Sequence, residues 1–232
     1  MHFVYLPNIA PVVQLSQEES GHAVRVLRLA FGDKVIVSDG KGTLHEASII
    51  DPHPKRCILQ IEKELPWQKG WDFRLHLAFA PTKNMDRIEW AMEKATELGI
   101  DEFTPLLCRH SERKELKMPR LEKLLISSIK QSQKALIPTL NPMTPFDTFV
   151  SSVSTPLYIA HCHEGEKTHL AKALIPHQPV TLLVGPEGDF HVDEVKTALN
   201  LGAKPISLGT ERLRTETAML YACTIAHTLN QL

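Results

Sequence analysis

With 232 residues, 43% of them hydrophobic, and 26 Lys and Arg set against 27 Asp and Glu, the chain reads as a globular protein of one large domain or two small ones. The balanced charge excludes a protein that grips nucleic acid through a global positive field, so any RNA contact must be local. The longest apolar runs, residues 180–184 and 220–226, fall far short of the roughly 20 residues that cross a bilayer. The N-terminus also lacks the basic and apolar stretches of an export signal, and a cytoplasmic protein is expected.

From residue 1 to about 65 the chain alternates short apolar runs with turn signals. Residues 3–6, 34–38, 44–50 and 57–61 read as strands, punctuated by Asp39-Gly40, Gly42 and Asp51-Pro52. They predict a small, closed or nearly closed β domain. Residues 17–29 interrupt it as a short helix, for which Ser16 and Glu19 form a candidate capping box.

The patterning changes at residues 66–70, and the domain boundary is placed there, with one domain over 1–68 and a second over 72–232. The second part alternates strand-like with helical runs: 73–79 and 85–98, 102–107 and 120–134, 157–160 and 169–174, 181–184 and 192–201, 206–208 and 215–229. Such alternation predicts an α/β domain, a parallel sheet covered by helices on both faces. Within 85–98, Ile88, Ala91, Met92, Ala95 and Leu98 share one helical face, and Gly99 provides the stop.

Two segments carry candidate chemistry. In the first, the apolar run ending Leu183-Val184 breaks into Gly185-Pro186-Glu187-Gly188, where glycines let the backbone turn sharply and leave peptide groups open to a ligand at the carboxyl end of a sheet. A plain strand-to-helix turn would use the same residues. In the second, Leu208-Gly209-Thr210-Glu211-Arg212-Leu213-Arg214-Thr215-Glu216-Thr217-Ala218 follows a short strand and opens the last helix. Thr215 and Glu216 suit a helix start on structural grounds alone, but a cation just before one does not, unless it meets a carboxylate, a phosphate or substrate, and this singles out Arg214. In the N-terminal part Arg25, Arg28 and Lys34, with His22, form a local basic group able to touch RNA phosphates.

Cys57, Cys108, Cys162 and Cys223 stand far apart without a C-x-x-C pair, which argues against a zinc ribbon or a disulfide framework. His161-Cys162-His163 has no second ligand pair at a zinc-like spacing, so no metal is expected.

Taken together, the Gly-Pro-Glu-Gly loop and the later Leu-Gly-x-x-x-Leu-Arg-Thr-Glu-Thr-Ala segment resemble the ribosomal RNA small-subunit methyltransferase E family. His22-x-x-x-Val26-Leu27-Arg28-Leu29 with Gly32-Asp33 is similar to its PUA-like domain, and residues 93–99 to its first catalytic helix. The resemblance implies a PUA-like β-barrel followed by a SPOUT-class domain with a deep trefoil knot. It also implies a homodimer that uses S-adenosylmethionine to methylate N3 of a uridine in small-subunit (16S) ribosomal RNA.

On that resemblance the cofactor pocket falls on Leu183, Gly185, Pro186, Glu187 and Gly188, and on Leu208, Gly209, Leu213, Arg214, Thr217 and Ala218. Arg214 is expected to stabilise the uridine anion or a neighbouring phosphate, and Glu216 to orient it or accept the proton. Arg25, Arg28, Lys34 and Lys134 are expected on RNA. The sequence departs from the family at Asp189, often Gly, at Glu211, often basic, at Lys134, often Arg, and at His2, often Arg. A non-enzymatic RNA-binding assembly factor would need the basic group but not the glycine loops. A ribose 2′-O-methyltransferase of the same class would share the knot but not need the N-terminal motif.

Overall fold

A computed structural model describes residues 2–231 and divides them into two compact units: residues 2–69 with 126–137, and residues 70–125 with 138–231. Sequence patterning assigns 126–137 to the second part, whereas the structure groups it with the first.

The first unit is built on a five-stranded sheet, β1 (His2–Tyr5), β2 (Val12–Gln14), β3 (Lys34–Ser38), β4 (Leu44–Asp51) and β5 (Ile58–Leu65), in the order β1-β3-β4-β5-β2. Only β1 and β3 pair in parallel; the other neighbours are antiparallel. Strand β2, with just three residues and little burial, escaped the sequence reading. One face closes on a core that includes Val4, Leu15, Val35, Val37, Ile49 and Leu59.

The helix expected at 17–29 is shorter than its pattern. Helix α1 (Gln17–Gly21) runs into a wide turn over His22–Val26, and Arg28 then adopts φ 56°, which ends the helical path. Only half of the expected capping box forms: Ser16 Oγ accepts from Glu19 N at 3.2 Å, while the Glu19 carboxylate turns to Lys130 Nζ, at 2.6 and 2.8 Å from its two oxygens. A nearby ammonium attracts the carboxylate more strongly than one backbone N–H does.

The second unit contains an eight-stranded, wholly parallel sheet: β6 (Leu75–Phe79), β7 (Glu102–Leu107), β8 (Thr139–Leu140), β9 (Thr144–Pro145), β10 (Leu157–Ala160), β11 (Thr168–His169), β12 (Val180–Val184) and β13 (Lys204–Ser207). The order is β11-β13-β10-β12-β6-β7-β8, with β9 also on β7. Every residue of β12 is buried, as a central strand covered on both faces requires. The helices are α2 (Met85–Leu98), α3 (Met118–Ser132), whose last turns belong to the first unit, α4 (Phe146–Ser152), α5 (Leu170–Ala173), α6 (Val192–Asn200) and α7 (Thr215–Gln231).

In α2 the expected stripe is buried at Ile88, Ala91, Met92 and Ala95, whereas Leu98 is 41% exposed. Gly99 follows with φ 116°, and a β-carbon there would stand 2.8 Å from the Trp71 ring, so both conformation and space demand glycine.

Candidate functional site

Strands β10, β12 and β13 are neighbours in the sheet, and their carboxyl ends open into one cleft of about 950 Å³, within the range of small-molecule sites. The abrupt end of β12 supplies Gly185, Pro186 and Glu187; the segment after β13 supplies Leu208, Gly209, Leu213 and Arg214; the start of α7 supplies Ala218. Thr215 Oγ1 donates to Gly185 O at 3.0 Å and ties the two segments together.

The remaining expected pocket residues lie elsewhere. Leu183 is only 1% exposed and part of the core, Thr217 points outward on α7, and Gly188 faces the His110 side chain.

A third wall was not read from the sequence. His161, Cys162, His163 and Lys167, between β10 and β11, line the cleft together with Asp189 and Arg87. Asp189 is the organising residue. It holds φ 65°, a left-handed conformation that Asp tolerates better than most residues. Its Oδ1 accepts from Phe190 N at 2.8 Å and its Oδ2 from Cys162 N at 2.7 Å. The Asp189 carboxylate thus links the end of the β12 turn to the β10–β11 loop. His163 Nε2 lies 2.7 Å from Phe190 O, and Lys167 Nζ donates to the carbonyls of His161 and His163 at 3.2 and 2.5 Å.

Below this wall a buried carboxylate fixes the start of α6: Glu194 Oε1 accepts from Arg109 N and Oε2 from His191 N, both at 2.8 Å. The His161 ring nitrogens are buried and have no hydrogen-bond partner among the described residues. Burial, and then the nearby Lys167 ammonium, pull the His161 pKa below its ordinary value, so the ring is neutral and offers one donor and one acceptor.

The two proposed catalytic residues part company. Arg214 lines the cleft, is exposed, and its guanidinium has no hydrogen bond or ion pair among the described residues. Glu216 is 8% exposed and its carboxylate stands 3.6 Å from Arg87 Nη1, the one ion pair it makes among the described residues. Glu216 thus faces Arg87 rather than Arg214.

In the first unit Arg25 and Arg28 are exposed, while Lys34 is engaged by Glu46 on the neighbouring strand at 2.6 Å and by Glu62 on β5 at 3.3 Å. Lys134 follows the left-handed Gln133 just beyond α3. The buried Cys223 thiol is pushed up to about 12 by desolvation and is inert as a nucleophile.

A family model described as an RNA methyltransferase domain matches residues 69–227, and one described as an RNA methyltransferase PUA domain matches residues 15–62. The chain belongs to the RNA methyltransferase family. A ribosomal RNA small subunit methyltransferase E from Rickettsia conorii is 28% identical over 216 residues, spanning 90% of this chain and 87% of that relative. A probable rRNA-methyltransferase from Porphyromonas gingivalis superimposes with a TM-score of 0.94 at 38% identity, over 100% of this chain and 99% of the other. A ribosomal RNA small subunit methyltransferase E from Neisseria gonorrhoeae, solved bound to S-adenosyl methionine, gives a TM-score of 0.86 at 26% identity, over 99% and 98% of the two chains. In this RNA methyltransferase no described helix is long and apolar enough to cross a membrane.

Proposed function

We propose that this RNA methyltransferase transfers the methyl group of S-adenosylmethionine to N3 of a uridine in small-subunit ribosomal RNA, acting in the cytoplasm as a homodimer. The observation that carries this reading is the convergence of the Gly185–Glu187 turn and the Leu208–Arg214 segment on one cleft at the carboxyl ends of parallel strands. The residues present fit the cofactor. Gly185 and Gly209 leave backbone open to a ligand, and the unpaired ring nitrogens of His161 await a polar partner. Gly185, Leu208, Gly209, Leu213 and Ala218 would hold it.

A trefoil knot in the second unit fits the chain path. After β13, which lies beyond β10 from β12, the chain comes back so that α7 packs on α2, β6 and β12, and the segment making that return is the one tied to Gly185.

S-adenosylmethionine supplies an electrophilic methyl group when bound. The protein's share is to hold the uridine in line with it and to favour loss of the N3 proton. In-line positioning contributes several kcal/mol on its own. Arg214, exposed at the cleft with no partner among the described residues, stabilises the charge that develops on the uridine as N3 gives up its proton to solvent water. Glu216, buried and facing Arg87, is assigned in this reading to holding Arg87 at the cleft.

The test is calorimetric titration with S-adenosylmethionine, followed by methyl transfer from labelled cofactor to unmodified small subunits and mapping of the product nucleotide. Saturable binding and an N3-methyluridine product are expected. Binding with a ribose 2′-O product would replace the substrate atom, and absence of binding would refute the enzyme reading.

A further inference from the structure

The outward face of residues 22–31 in the first unit has no part in the cofactor cleft, and its surface is unusual. Phe31 is 72% exposed and Val26 64% exposed, while Ala23 and Leu29 of the same segment are buried in the core. A large aromatic side chain so far out of the core is informative because burial is the default for its type.

Fraying does not explain it. The turn that carries Phe31 is anchored on both sides: Asp33 Oδ2 accepts from Ala30 N at 2.7 Å, Gly32 N donates to Ile49 O at 2.8 Å, and Ile49 N donates to Asp33 O at 3.0 Å. The approach to the turn is fixed as well, with Leu27 N donating to His22 O and Leu29 N to Ala23 O, both at 3.0 Å, around the left-handed Arg28.

The segment leading into this turn is basic, and the Asp33 that closes it is turned in to Ala30 N. Residues 21–32 contain Arg25 and Arg28 and no acidic residue. The β4–β5 connection approaches the start of this segment, with Pro54 O 3.7 Å from where a β-carbon on Gly21 would stand, and carries the exposed Lys55 and Arg56 next in sequence. None of these four side chains makes an ion pair among the described residues, in contrast to Lys34.

We propose that Phe31 stacks on one unpaired base of RNA while Arg25, Arg28, Lys55 and Arg56 hold the phosphates that flank it. A flat ring on a rigid turn, with guanidinium and ammonium groups unpaired among the described residues on the flanking segments, matches the alternation of base and phosphate along a single strand. An apolar protein partner would leave the four cations without counter-charges. The proposal rests on the RNA-methyltransferase reading, and it adds the kind of RNA, single-stranded at this point, and the residue that reads it.

The experiment measures binding of the full-length protein and its Phe31→Ala, Phe31→Trp and Arg28→Ala variants to a labelled single-stranded RNA of about 12 nucleotides across a salt series. Affinity for S-adenosylmethionine is measured in parallel as the check on folding. Phe31→Ala is expected to weaken RNA binding roughly tenfold with an unchanged salt slope, and Phe31→Trp to retain it. Arg28→Ala is expected to lower the salt slope by about one. If Phe31→Ala binds as tightly as the parent while Arg28→Ala lowers the slope, the face contacts RNA but stacking is refuted. If neither variant changes RNA binding, or the parent binds no RNA, the whole assignment of this face fails; retained cofactor affinity would then leave the methyltransferase reading standing.

Discussion

Replacing Gly185 by alanine tests the cleft at its tightest point. A β-carbon at this position would lie 3.1, 3.2 and 3.2 Å from Cδ2, Cε2 and N of Phe190. These contacts are tighter than ordinary van der Waals packing by a few tenths of an ångström, and the neighbour cannot swing away. Phe190 is fully buried, its ring stands 5.3 Å from that of Phe146, and its backbone is held by Asp189 and His163. Relief has to come from displacement of Gly185 itself toward the cleft. Overpacking of this kind costs about 1–3 kcal/mol, which for a chain of this size lowers the thermal midpoint by roughly 2–12 °C. The displaced peptide would also lose a hydrogen bond to the cofactor, weakening S-adenosylmethionine roughly tenfold. Differential scanning calorimetry and isothermal titration read the two effects. Gly188→Ala is the control: its β-carbon would meet His110 Cβ at 3.6 Å, an ordinary contact, and both quantities should stay as in the parent. A Gly185→Ala protein that melts and binds like the parent would refute the geometry of the cleft described above.

Four further outcomes are expected. Gly209→Ala meets no atom within 4 Å but must hold φ 125°, so strain of about 1–3 kcal/mol should appear as weaker cofactor binding in titration without any steric clash. Glu194→Ala strips the partner from two backbone N–H groups and should destabilise by roughly 2–4 kcal/mol in chemical denaturation, with Glu194→Gln losing less because one acceptor oxygen remains. Arg87→Ala leaves the buried Glu216 carboxylate without its ion pair; a loss of stability larger than that of the double variant Arg87→Ala, Glu216→Gln would show that the pair is coupled. The pKa values of His76 and His161 are both held below 6.5 by burial, so between that value and their lowered ones the unfolded chain binds more protons than the folded one. The stability they secure is complete above pH 6.5 and lost as pH falls below it, and His161→Gln should flatten the decline of melting temperature between about pH 7 and pH 5.

The parallel sheet was legible because strands buried on both faces must be apolar along their whole length, as residues 180–184 are. The two glycine segments were legible through their joint resemblance to one family and through Arg214 just before a helix start, since Gly and Pro at a strand end serve a plain turn equally well. The third wall was not: nothing local marks His161, Cys162 and Lys167, whose place is set by a carboxylate 27 residues away from Cys162. Lys34 looked available in the sequence, yet Glu46 and Glu62 reach it only through strand pairing, which charge patterning along the chain does not reveal. Lys55 and Arg56 went unread for the converse reason, since the approach of the β4–β5 connection to Gly21 depends on its fold. The elements over residues 139–152 are too short to carry a periodic signal, with two-residue strands and a seven-residue helix.

Asp189, Thr215 and Glu194 each send a side chain to the backbone of a segment far away in sequence, and between them they join four stretches of chain at the cleft. Their bonds form as the second unit folds, before any ligand arrives. The entropy of ordering these loops is then charged to folding and not to association. Entry of a small molecule should therefore be a single bimolecular step whose observed rate rises linearly with ligand concentration, and selectivity between the methylated cofactor and its demethylated product should reside in dissociation rates.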